Sequence, residues 1–483
     1  MKLNLVEGLP KRDARPGEVV GLDIEVYRQE PPLHLPTGEF ACLSICLLGD
    51  PETVFQVYTH ADTREALKRV SRGHWAMHNA NYDVRHLRRW VTVRQRDIWD
   101  TFLAERHLYA GLYQSTFTLK DLARRWLDVY RDKETRDLFA TATEMTVEMK
   151  RYAALDAQDT ARIADLQMHK EDVNWKSFTE VSTPTIWPFL EIRPFRVDRV
   201  QWMGISTRLG KRGEKIQKEL GINVNSHQQV KAFLLEHAGL KRLRNTKKVT
   251  LEKYGGNPFN PRDGKNPLVK KVMLARSLLK MGSTYGESFL STSDKDGYIL
   301  PGWMQDRADT GRTACSDPNA QNIPVRNVPE FRDCVIASPG NVLGVYDASA
   351  QEPREGAQLT QDQNLLKLFR RGGNIYIEVM KEMRGTTIKK GTRAYDKTKS
   401  AVLGSFYGLT PQGMAMQYDI GVREAEDFQT EFFEKFRGVP DWMARVRTEA
   451  INIGYVRTTL ERRLWINPHD ERWMNNAVNS PVQ

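Results

Sequence analysis

Pro184, Pro188 and Pro194 split this chain into two regimes that no single fold class accommodates. Proline removes a backbone donor and fixes φ, so three within eleven residues mark a junction. Before it, apolar runs at 18–25 and 40–48 read as strands. Helical periodicity covers 64–71, 84–91, 97–109, 119–126 and 146–170. That alternation predicts an α/β domain with a mixed sheet. After it, helices are expected at 200–220, 228–238 and 268–281, and they dominate 365–453. Strands are expected at 298–304 and 341–346, residues 255–264 read as a loop, and 454–466 reads as a hairpin. The second regime is α+β. At 483 residues the whole should form two to four domains.

Lys and Arg outnumber Asp and Glu by 72 to 61, a formal net charge of +11. The surplus is spread along the chain and favours a polyanionic partner. Cys42 and Cys46 lie in an apolar strand, and the spacing of the four cysteines suits neither a zinc site nor a disulfide framework. A reducing compartment follows. No apolar run approaches the length of a membrane span, and the N-terminus carries no signal-peptide core. The expectation is a cytoplasmic protein with no membrane partner, in a bacterial host's cytoplasm if the chain is phage-encoded.

Asp23 and Glu25 share one face of the first strand, because side chains alternate with period two. Asp83 ends the run Asn79-Ala-Asn-Tyr-Asp83. Tyr152 and Asp156, four apart on a helix, point the same way. Four carboxylates and a tyrosine can hold two divalent ions, one activating water and one stabilising the leaving oxygen. Oxygen-only ligands suit Mg²⁺ or Mn²⁺. Asp159 is read as a solvated helix position.

A second group sits downstream. The run Val345-Tyr-Asp-Ala-Ser-Ala-Gln-Glu-Pro-Arg354 brings Asp347 to the end of the expected strand, with Glu352 and Arg354 close behind. Upstream, residues 310–324 are dense in Arg312, Asn319, Gln321 and Asn322. Such side chains can test base-pair geometry in a minor groove, where every pair presents acceptors. Lys399, Leu403 and Tyr407 form one stripe of the helix expected at 393–408. Lys399 there can hold triphosphate charge, and Tyr407 can stack beside a templating base.

Both groups resemble DNA polymerase family A. The first three clusters are similar, in order, to its 3′–5′ exonuclease domain, matching at Asp23, Glu25, Asp83, Tyr152 and Asp156. Asp347, Ser349, Glu352 and Arg354 match its first palm motif, Asp-x-Ser-x-x-Glu-x-Arg. The resemblance implies that Asp347 binds metal and that Glu352 sits against the sugar of an incoming nucleotide. The fingers helix departs from the family pattern: Leu403 replaces a common aromatic, and Tyr395 stands where an Arg is usual. Arg393 and Lys397 are candidates to replace that Arg. Asn479 and Gln483 match residues that contact primer and template, while Asn475 replaces a usual Arg.

The resemblance implies an RNase H-like exonuclease domain followed by a right-hand polymerase. Expected boundaries are exonuclease 1–185, thumb 186–297, first part of the palm 298–360, fingers 361–453, and a hairpin with the start of the return to the palm at 454–483. The implied function is dNTP addition to a primer 3′ end on template DNA, with proofreading and two Mg²⁺ or Mn²⁺ ions per active site. The family's last palm motif, a His-Asp-Glu carrying a second aspartate, is expected beyond the residue matching Gln483. His469-Asp470-Glu471 precedes that helix and reads as a polar loop. A second polymerase fragment bearing the motif is therefore an expected partner, beside primer-template DNA and dNTPs. Two alternatives remain: a 3′–5′ exonuclease acting alone, and a non-catalytic DNA-binding subunit.

Overall fold

The computed structural model describes residues 2–29, 35–93, 97–112, 116–131, 134–259, 265–325, 327–418, 420–467, 469–470 and 472–483. Two compact units emerge. One joins Met1–Glu191 with Met304–Ala314 and Asp347–Gln483; the other joins Ile192–Trp303 with Cys315–Tyr346.

The first unit opens with a six-stranded mixed sheet in the order β1-β4-β3-β2-β5-β6. The strands are β1 (Asn4–Glu7), β2 (Val19–Tyr27), β3 (Glu39–Leu47), β4 (Thr53–Val57), β5 (His74–Met77) and β6 (Ile98–Asp100). β2 is antiparallel to β3 and parallel to β5. Three helices position its functional side chains: α1 (Ala80–Leu87), α2 (Thr101–Tyr109) and α3 (Val147–Met168). The expected helix at 97–109 is a strand followed by a helix. Asp100 makes the break: its carboxylate accepts from the N–H groups of Phe102 and Leu103, capping α2.

The alternation of β2 decides which side chains face α3. Val20, Leu22 and Ile24 enter the main core of the sheet. Odd-numbered residues face α3, which presents Ala154, Ala157, Ala161 and Ala164 to Val19. The contact is close: a Cβ on Gly21 would lie 2.1 Å from the carbonyl oxygen of Ala157 and 2.8 Å from the Cβ of Ala161. Gly21→Ala should therefore push β2 from α3 and destabilise the domain by about 3 kcal/mol. Denaturant unfolding checks this, and an unchanged midpoint would contradict the close approach.

The rest of the first unit is mainly helical. It includes α4 (Gln351–Thr360), α5 (Arg393–Phe406) and α6 (Gly438–Ile453), then the hairpin of β7 (Tyr455–Arg457) and β8 (Arg463–Trp465), then α7 (Trp473–Val482). Phe406, Phe432, Phe436 and Trp442 anchor its core. The hairpin expected at 454–466 is present.

In the second unit, helices Arg199–Leu220 and Pro267–Thr284 run against each other through glycines. A Cβ on Gly282 would lie 2.9 Å from the Cα of Gly210. Trp202 stacks on Phe289 at 4.6 Å and tilts against Phe331 at 4.8 Å. Strands Phe195–Val197, Tyr298–Ile299 and Val335–Ile336 form a small antiparallel sheet. Of the loop expected at 255–264, residues 260–264 lie outside the described residues.

One expected strand is absent: residues 341–346 form no strand. Val342, Val345 and Tyr346 are 90% or more exposed. A strand is held by a ladder to a neighbour, and this run has no such neighbour among the described residues. Asp347 therefore does not stand at a strand end.

Candidate active sites

The carboxylate cluster assembles where β2, α1 and α3 meet. Ligand oxygens of Asp23, Glu25 and Asp156 all lie within 4.8 Å of one another. Asp83 on α1 is buried, and its Oδ1 accepts from the backbone N–H of Ile24 at 3.2 Å. The pairing of β2 with β3 shifts register between Glu25 and Val26. Such irregularities re-aim side chains beside functional sites. Tyr152 donates its hydroxyl to Asp156, and its ring lies 6.2 Å from Phe139.

Four carboxylates in one dehydrated place hold protons tightly. Burial raises Asp23 well above the usual carboxylate range, reinforced by Glu25, Asp156 and Asp83. Glu25 rises for the same reasons, burial first and then Asp156. Burial lifts Asp83 to about 8, partly offset by the Ile24 N–H. It lifts Asp156 to about 7, against the opposing bond from Tyr152. The Oδ2 of Asp23 is buried without a hydrogen-bond partner. A divalent cation is the partner such a set fits, because it would neutralise the mutual repulsion and ligate the unpaired oxygen.

Asp159 is not solvated. It is fully buried, and Arg131 grips both its oxygens at 2.7 and 2.8 Å. Three helical positions from Asp156, it anchors the segment preceding α3. Asp100 is a second residue that sequence reasoning missed. Besides capping α2, it accepts from the N–H groups of Asn79 and Ala80 at 3.0 and 2.9 Å, holding the start of α1 and so Asp83. The signal was present: Asp before Thr101 at a helix start is a strong N-cap.

The downstream residues divide between the two units. In the first, Glu352 is the hub. One carboxylate oxygen takes the guanidinium of Arg312 and the other takes the hydroxyl of Tyr407. Three distant motifs thus meet at one side chain. Glu352 lies in the first turn of α4, entered through Ala350 at φ 51°. Tyr407 terminates α5. Arg354 donates to the carbonyl of Ser349 at 3.0 Å and lies 4.9 Å over Phe369. Lys399 is exposed, its Nζ 5.8 Å from the ring of Tyr376. Leu403 is partly buried against the surrounding core.

Lys397 is bound to Glu424 at 2.7 Å, while Arg393 is exposed in the first turn of α5. Tyr395 is buried and its hydroxyl accepts from Asn374 at 2.9 Å, so that position serves the core. Asp347 is exposed. On α7, the Oδ1 of Asn479 is buried without a partner, and Gln483 is exposed at the helix end. The loop between hairpin and α7 contains His469 and Asp470. Asp470 accepts from the N–H of Arg472 at 2.9 Å, which fits a polar connection; Glu471 lies outside the described residues.

In the second unit, Asn319, Gln321 and Asn322 are exposed on a single 3₁₀ turn. Asn319 shapes it by accepting from the N–H of Asn322 at 3.2 Å.

No helix among the described residues is long and apolar enough to cross a membrane.

The model of 3′–5′ exonuclease matches residues 12–170, and that of DNA polymerase family A matches residues 202–483. DNA polymerase I of Streptococcus pneumoniae is 30% identical over 280 residues, covering 54% of this chain and 31% of that protein. The thermostable DNA polymerase I of Thermus aquaticus is 26% identical over 359 residues, covering 70% and 43%. The chain thus spans less than half the length of these relatives. In fold it is similar to the polymerase domain of Pol1 from M. smegmatis, solved with DNA primer-template and dNTP. The TM-score is 0.77 at 22% identity, covering 98% of this chain and 85% of that one. With a family model matching more than half of its length, the chain belongs to DNA polymerase family A, and an exonuclease domain precedes its polymerase domain.

Proposed function

We propose that this chain extends a DNA primer with dNTPs on a template and removes mispaired 3′ ends by 3′–5′ hydrolysis, in the cytoplasm. The convergence of Arg312 and Tyr407 on Glu352 carries the first activity. The cluster of Asp23, Glu25 and Asp156 carries the second. We assign residues 1–185 to the exonuclease, 186–297 to a thumb, 298–360 to the first part of the palm, 361–453 to fingers, and 454–483 to a hairpin with the start of the return to the palm.

In extension, the primer 3′ oxygen bonds to the α-phosphorus of the dNTP as the bond to pyrophosphate breaks. Glu352, fixed from two sides, blocks the space of a 2′-hydroxyl and so selects deoxynucleotides. Lys399 binds the triphosphate, with Arg393 and Lys397 beside it. Leu403 and Tyr407 border the nascent pair. Arg312, Asn319, Gln321 and Asn322 test pair geometry from the minor groove, while Arg354, Asn479 and Gln483 hold primer and template. In hydrolysis, Tyr152 orients the attacking water. Mg²⁺ or Mn²⁺ ions, two to a centre, would be held by Asp23, Glu25, Asp83 and Asp156 and by Asp347 with a second carboxylate, supplying Lewis acidity to the phosphate when bound.

The second carboxylate for Asp347 we assign to a further polymerase segment bearing a His-Asp-Glu motif. The bare apolar run at 342–346 beside Asp347 favours this. The same exposure favours a second reading, in which the chain by itself only shortens DNA. Labelled primer-template with Mg²⁺ and dNTPs separates the readings on a gel. Extension by the chain with that segment, and shortening by the chain alone, support the proposal. Binding without either reaction refutes it.

The proton-holding cluster also makes stability depend on pH. Its carboxylates have raised affinity in the folded state, against about 4 unfolded. The folded chain therefore binds more protons than the unfolded chain, and stability falls as pH rises through the folded values. His78, His86 and His107 are depressed to about 4 by burial; unfolded, they are half charged near pH 6.5, so they oppose this trend weakly at the start of the window and not at all above about pH 7.5. The melting temperature in chelator should thus drop from pH 6.5 to 8.5, and Mn²⁺ should restore it, most at pH 8.5. A flat profile in chelator would contradict the cluster.

A further inference from the structure

Arg106 lies on α2, within the exonuclease domain, and its side chain is only 4% exposed. Its guanidinium binds a turn some 200 residues later. Nε donates to the carbonyl of Asp306 at 3.0 Å. The terminal nitrogens donate to the carbonyls of Arg307 at 3.2 Å and Ala308 at 2.7 Å, and to the carboxylate of Asp309 at 3.1 Å. Three consecutive carbonyls are thereby fixed by one planar fork, which a lysine cannot reproduce.

The same turn is held from another side. Arg462, before β8, pairs with the buried Asp306 at 2.5 Å. Gly311 adopts φ +83°, and a Cβ there would lie 2.6 Å from the Arg462 guanidinium. The turn closes on itself through Gly311 N–H to Ala308 and Ala308 N–H to the carbonyl of Arg312. The residue that leaves it is Arg312, whose guanidinium reaches Glu352. An ion pair that merely joined two domains would need one carboxylate. Beyond the Asp309 carboxylate, Arg106 grips three backbone carbonyls, and that backbone leads directly to Arg312.

We propose that Arg106 is a positioning residue for the polymerase site: through the turn at 306–311 it sets Arg312 against Glu352, so that the exonuclease domain builds part of the site for DNA synthesis. This rests on the reading of Arg312 as a primer-template contact.

The test is a double-mutant cycle on the full chain. Binding of a fluorescent primer-template is measured by anisotropy in chelator, where no cleavage occurs. Arg312→Ala should weaken binding about 10-fold and Arg106→Ala about 5-fold. The double variant should bind no more weakly than Arg312→Ala alone, because coupled residues are non-additive. Arg106→Lys should fall between wild type and Arg106→Ala. Shortening of a single-stranded oligonucleotide with Mg²⁺ should persist in Arg106→Ala and Arg106→Lys, which reports that the exonuclease domain is folded. Should Arg106→Ala lose that activity, Asp309→Ala removes one half-exposed partner and should still weaken binding about 2-fold, again not adding to Arg312→Ala.

Losses that multiply in the double variant would overturn the proposal, as would wild-type binding by both Arg106→Ala and Asp309→Ala. Wild-type binding by Arg312→Ala would instead show that the reading of Arg312 itself is wrong, and the positioning role falls with it.

Discussion

Asp23→Asn should cut 3′–5′ shortening at least about 10³-fold while raising the melting temperature of the metal-free chain. The two effects have one cause. Asp23, Glu25 and Asp156 bring ligand oxygens within 4.8 Å, with Asp83 buried beside them. Removing a ligand from a two-ion phosphate site sacrifices about 4 kcal/mol of transition-state stabilisation, or three decades of rate. The neutral amide also relieves a like-charge repulsion that the metal-free fold must otherwise bear. A relief of about 1 kcal/mol corresponds to about 3 °C in a domain of this size. The fall in stability between pH 6.5 and 8.5 should flatten in the same variant. Gel assays of a labelled oligonucleotide and thermal melts in chelator read both. Retained shortening would show that the nuclease site is elsewhere. A lowered melting temperature would show that Asp23 carries a structural bond.

Asp347→Asn should behave oppositely in one respect. With the proposed further segment supplied, primer extension should fall at least about 10³-fold, for the same reason of a lost metal ligand. Shortening should persist. The melting temperature of the chain alone should not move, because Asp347 is exposed and exposed substitutions usually stay within half a kcal/mol. Extension at the wild-type rate would remove Asp347 from the mechanism. A large stability change would mean that the 342–347 run is covered in solution.

The two sites were legible to different degrees. The carboxylate cluster could be read because strand period and helix period are local. Asp23 and Glu25 had to share a face, as did Tyr152 and Asp156, and the structure adds Asp83 through the Ile24 N–H. Asp159 was misread because its partner Arg131 lies 28 residues away; nothing local distinguishes a buried ion pair from a solvated acid. The expected strand at 341–346 failed for the complementary reason. Its residues have strand character, yet a strand exists only against a neighbour. Lys399, Leu403 and Tyr407 are expected on one helical stripe. In the fold Leu403 leans on the core, Tyr407 turns to Glu352, and Lys399 stays exposed near the ring of Tyr376.

What the sequence by itself determined is chemistry at positions: which carboxylates share a strand or helix face, where helices start, and where proline ends one architecture and begins another. These follow from backbone geometry within a few residues. Tertiary structure alone decided the adjacencies. Gly21 lets α3 approach β2, Glu352 receives Arg312 and Tyr407 from separate motifs, and Arg106 grips a turn 200 residues away. Each depends on close packing between elements far apart in the chain, which no local period encodes.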